Sequence, residues 1–170
     1  MFIKTEIEKY FLAQKQESLI LCLAGIIAIL LAGGFFFLWK TQFAKGAAAP
    51  LLALGILQAI IGYAVYAKSD KQRIDNVYAA DMNPGKLKNQ ELPRIHSLNR
   101  NLTIYRFVEL FLILAGIGMG VYFKSQPDRS FYIGLGVALA IESALLLGLD
   151  SLAWKRALFY TSQLETFLGK

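Results

Sequence analysis

The run from Ser130 to Ala153, SFYIGLGVALAIESALLLGLDSLA, holds 24 residues with two acids, Glu142 and Asp150, and no base. A helix needs about 20 apolar residues to cross the hydrocarbon core of a bilayer, so this run reads as a transmembrane helix. A carboxyl group near the middle of such a helix is costly there, and it marks either a functional site or a buried pairing.

Three more runs of this kind lie upstream. The first extends from about residue 19 to 39, the second from 47 to 67 and the third from 103 to 123. With the run at 130–153 they predict an all-α membrane protein, a four-helix transmembrane bundle made of two helical hairpins in a single domain of 170 residues. Hydrophobic residues make up 56% of the chain and charged residues 18%, which sets it apart from average globular composition. The first apolar run begins near Ser18, lacks a small-x-small exit and ends in Phe35-Phe36-Phe37-Leu38-Trp39, so it is expected to be the first span and not a cleaved signal. The aromatic cluster at its end, with Tyr63 and Tyr66 at the end of the second run, suits the membrane interface.

The connections differ in kind. Residues 2–16 place Ile3, Ile7, Tyr10 and Phe11 at helical spacing between charged residues, which predicts a short amphipathic helix lying at the interface. Lys40–Lys45 and Lys124–Arg129 read as tight turns, and Pro50 is expected in the first turn of the second span, where its missing N–H costs little. Residues 68–102 form the one long polar segment, a helical loop broken at Asp81-Met82-Asn83-Pro84-Gly85.

Of the 18 lysines and arginines, 13 fall in the N-terminal segment, the central loop and the tail, four fall in the two tight turns, and Arg106 lies within a span. The positive-inside rule then puts both termini and the loop in the cytoplasm, which predicts a multi-pass protein of a plasma membrane, the bacterial inner membrane. The net charge of +6 follows from this topology and from attraction of the loop to anionic lipid headgroups, so no nucleic-acid partner is expected.

Shifting the chain by 84 residues lays Trp39-Lys40-Thr41-Gln42 on Phe123-Lys124-Ser125-Gln126, Gly34 on Gly118 and Gln58 on Glu142. This predicts that the second hairpin repeats the first in the same orientation, with Gln58 and Glu142 at one depth. Chance resemblance between two apolar hairpins with basic turns is the competing explanation.

Five polar residues within the spans are the candidate site: Glu142, Gln58, Glu109, Arg106 and Asp150. Arg106 and Asp150 are expected near one interface and within pairing reach, and Arg106 and Glu109 are three apart on one helix face. Small residues flank the polar ones at helical spacing: Gly55 and Gly62 around Gln58, Gly116 and Gly120 beyond Glu109, and Gly134 and Ala138 before Glu142. Such spacing lets helices approach closely. Two readings of Glu142 remain open, a hydrogen-bonded clasp to Gln58 or a tyrosine, and a stop on an ion or proton path running from Asp150 past Glu109.

Cys22 and His96 are the only residues of their kinds, which excludes a disulfide, a CxxC redox pair and a Cys/His metal site within one chain. No nucleophile elbow, zinc-binding HExxH, P-loop or dinucleotide fingerprint is present, so neither an enzyme nor a cofactor is expected. Three function classes follow. The first is a non-enzymatic protein acting through helix contacts in the bilayer, with itself or with another membrane protein, such as an accessory subunit or an immunity protein against a membrane-acting toxin. The second is an oligomeric channel or membrane-permeabilising effector with Glu142 on the path. The third is a small transporter subunit.

Overall fold

A computed structural model describes residues 2–169, and they are helical almost throughout, with no strand among them. Helix α1 (Phe2–Gly34) continues into a π-helical turn, Phe35–Trp39. Helix α2 is Gln42–Met82, α3 runs over Pro84–Phe123 and contains a π-helical turn at Leu87–Glu91, and α4 is Ser130–Leu168. All four are long and apolar enough to cross a membrane. Lys170, counted above among the tail bases, lies outside the described residues.

The helix ends follow local chemistry. Lys40 adopts a left-handed conformation and ends the π-helical turn; the Thr41 hydroxyl then accepts a hydrogen bond from Ala44 N at 3.1 Å and starts α2. The α2–α3 corner turns on Asn83, whose side-chain oxygen accepts from Lys86 N at 3.2 Å, with Pro84 in the first helical position. Because α2 begins at Gln42, Pro50 falls in the third turn and not in the first. It therefore withholds a hydrogen bond from the carbonyl of Gly46 inside the helix.

The length of the helices is the main departure from expectation. At about 1.5 Å per residue, the 39 residues of α4 span roughly 58 Å, against about 30 Å of hydrocarbon. The excess lies at the end of the bundle that holds both termini. Residues 2–16 are not a separate interfacial helix. They are the first turns of α1, and Ile3, Ile7, Tyr10 and Phe11 are buried in a core shared with Ala79 and Ala80 of α2, Leu87, Leu92, Ile95 and Leu102 of α3, and Ala157, Tyr160 and Leu164 of α4. The apolar stripe that would have faced lipid faces protein instead. The central loop and the tail belong to the same terminal half of the bundle.

In the apolar half, α2 and α4 are the inner pair, with α1 packed chiefly on α2 and α3 chiefly on α4. A Cβ on Gly46 would fall 1.9 Å from the Phe131 carbonyl oxygen, and one on Gly134 would fall 2.0 Å from that of Phe43, so α2 and α4 cross backbone against backbone. The 84-residue offset matches the ends of the first helix of each hairpin, Trp39 and Phe123. It does not match the starts of the second helices, Gln42 and Ser130, which are 88 apart because the second connection is longer. Gln58 thus lies four residues deeper into its helix than Glu142 lies into its own, roughly 6 Å along the axis.

Candidate functional site

Gln58 on α2 and Glu142 on α4 are 4% and 6% exposed, and Gln58 Nε2 donates to Glu142 Oε2 at 2.9 Å. The difference in depth is closed by two long side chains. Gln58 Oε1 is buried and has no hydrogen-bond partner. Glu142 makes no ion pair with any described basic residue. The two side chains form the floor of a groove of about 210 Å³ between α1 and α4, walled by Ala24, Ile27, Ala28 and Leu31 on one side and Leu145, Leu146 and Leu149 on the other. Ile27, Leu31 and Leu145 are exposed at its rim, so the groove opens on the apolar outer surface of the bundle.

The other three polar residues form a second group, eight residues further along α4. The carboxyl groups of Glu109 on α3 and Asp150 on α4 are near enough to influence one another electrostatically, and Glu109 Oε2 is buried with no hydrogen-bond partner. Arg106 pairs with neither acid among the described ion pairs. Its guanidinium lies over the ring of Trp154, 4.4 Å from the centroid, and its Nε has no hydrogen-bond partner. An aromatic face offers a cation a favourable electrostatic surface without a formal charge.

The small residues sort by what they touch. Gly55 lies against Gly25 and Ala28 of α1, Gly62 against Ser18 and Cys22 of α1, and Gly116 against Gly136 and Ala140 of α4. Gly134 packs on Phe43 and Ala47, while Ala138 belongs to a small core with Ala28, Ala32, Ala47, Ala48 and Leu51. Gly120 differs, since a Cβ there would meet nothing within 4 Å. Gly25, Gly46 and Gly136, which make some of the closest approaches, were not singled out by spacing.

Sequence reasoning also passed over a polar cluster in the terminal half. Glu91 is 4% exposed and accepts from Arg94 Nε at 2.7 Å and Arg94 Nη2 at 2.6 Å. Arg94 covers Phe11 at 5.5 Å, and the rings of Tyr10 and Tyr160 stack beside it. Burial pushes both tyrosine hydroxyls above their ordinary titration range, so they stay protonated. Burial would lower the Arg94 pKa, but the hydrogen bonds and charge of Glu91 outweigh that effect and raise it. One signal was available: Leu87, Glu91 and Ile95 recur every four residues, and all three are buried. Glu91 therefore occupies a core position in an otherwise apolar stripe.

The arrangement combines a helical frame, a buried polar pair beneath a groove on the apolar outer surface and a buried ionic pair at the terminal end. No protein-family model, curated protein or solved structure matches this chain.

Proposed function

We propose that this chain is a non-enzymatic integral membrane protein that acts through contacts made inside the bilayer, as an accessory subunit or as an immunity protein guarding a membrane against a membrane-acting toxin. The observation that carries this reading is the Gln58–Glu142 pair, buried between helices yet forming the floor of a groove on the apolar outer surface. A site in that place meets membrane-embedded molecules, and the partner is another membrane protein or a second copy of the chain.

The distribution of bases supports an orientation with both termini on the cytoplasmic side of a bacterial inner membrane. Lys68, Lys71, Lys88 and Arg100 are exposed on the terminal half and would then meet anionic headgroups. The partial match of the hairpins at their turns supports an internal repeat whose second turn gained four residues.

An oligomeric channel is the second reading, favoured by the nearness of the Glu109 and Asp150 carboxyl groups and by a Glu142 without a basic partner among the described ion pairs. The backbone contact of α2 with α4 leaves such a path to run along the groove between copies and not through one bundle.

Ion flux through liposomes holding the purified chain, across a pH series and beside Glu142→Gln, separates the two. Sealed vesicles for both proteins are the expected result. Flux with the wild type that Glu142→Gln abolishes while the protein stays assembled would establish the channel instead.

A further inference from the structure

The groove over Gln58 and Glu142 has the chemistry of a ligand site. Its walls are aliphatic, and its small residues Ala24 and Ala28 leave room between larger neighbours. The wall from Ala24 to Leu31 covers seven helical steps, about 10 Å, which suits an extended alkyl chain. The volume, about 210 Å³, is below that of most drug-sized sites, again favouring a slim occupant.

The floor is one-sided in its hydrogen bonding. Gln58 has already given a donor to Glu142, while its buried Oε1 has no donor to accept from. Glu142, when ionised, offers acceptors alone. The one base within the predicted spans, Arg106, is turned to Trp154. What would complete this floor is a group with several N–H donors and a positive charge.

We propose that the groove binds a lipid-soluble primary alkylamine: the ammonium group donates to Gln58 Oε1 and Glu142, and the chain lies along the aliphatic walls. This rests on the reading of the protein as an intramembrane binding module and names the ligand chemistry of that site. Entry is lateral from the bilayer, because Ile27, Leu31 and Leu145 at the rim are exposed on the apolar surface.

The test uses the full chain in lipid nanodiscs and a dodecylamine probe bearing a diazirine in its chain, with labelled peptides located by mass spectrometry. Labelling should be saturable, fall within residues 24–31 and 145–149, and be competed by dodecylamine but not by dodecanol or dodecyl sulfate. Glu142→Gln should weaken it by about tenfold, the scale of a lost charge-assisted hydrogen bond. Ala24→Leu fills the groove and leaves the polar pair in place; it should reduce labelling comparably, and it decides the matter if Glu142→Gln fails to fold. Equal competition by amine, alcohol and sulfate, or labelling unchanged in the variants, would overturn the proposal. Liposome flux does not depend on this ligand, so the two readings can fail separately.

Discussion

Tyr10 in α1 and Tyr160 in α4 stack face to face, their ring centroids 4.2 Å apart and their planes within 10° of parallel. Phe11 meets Tyr160 edge-on at 6.1 Å, so three rings join the two chain ends. The Tyr160 hydroxyl is buried near Glu91 and has no hydrogen-bond partner. The two truncations of this residue therefore separate ring from hydroxyl. Tyr160→Ala should cost roughly 3–5 kcal/mol, as large aromatic deletions do. Tyr160→Phe should be neutral or mildly stabilising, because an unsatisfied buried hydroxyl is itself a cost. Thermal unfolding followed by near-UV circular dichroism reads both.

Lys15 and Asp70 form an ion pair between α1 and α2 near the expected interface, with Lys15 also 4.9 Å above the Tyr66 ring. The hydrogen bond from Lys15 holds the Asp70 carboxyl below its ordinary value of 3.8. A depressed folded-state pKa stabilises the fold above the unfolded value, and that contribution is lost as pH falls through the folded one. Carboxyl-detected NMR should place Asp70 below 3.8, and Lys15→Ala should move it up. The pair is partly exposed to solvent, so added salt should shrink the shift.

The glycines should respond unequally to alanine. At Gly46 the new Cβ would strike the Phe131 carbonyl of α4, a backbone atom that cannot rotate away. Gly46→Ala should destabilise by about 1–3 kcal/mol or more, the range of overpacking. Gly118→Ala and Gly120→Ala meet open space and should stay within about 0.5 kcal/mol of wild type. Unfolding in mixed micelles, ranked across the three variants, checks the order.

Much of the architecture was legible because the bilayer imposes a length. Four apolar runs of about 20 residues announced four long apolar helices. Their extension beyond the apolar runs was harder to read, since Ile3, Ile7, Tyr10 and Phe11 show the same periodicity whether they meet lipid or a protein core. Only their partners decide, and those lie on three other helices. Gln58 and Glu142 stood out as polar residues in apolar surroundings, whereas Glu91 and Arg94 did not, because a charged pair three residues apart in a polar segment looks solvated. Glycine spacing marked helix faces without saying which glycines must stay glycine: a Cβ on Gly116 would strike Gly136 and Ala140, whereas one on Gly120 would meet open space although its backbone nitrogen borders Gly136.

Gln58 and Glu142 clasp α2 to α4, the inner helices of the two hairpins, at the floor of the groove. A double-mutant cycle with Gln58→Leu and Glu142→Leu, read by reversible unfolding in mixed micelles, tests it directly. The pair should show a favourable coupling energy of about 0.5–1.5 kcal/mol, the range for hydrogen bonds between membrane helices. Strictly additive effects of the two substitutions, with both single variants folded, would contradict it.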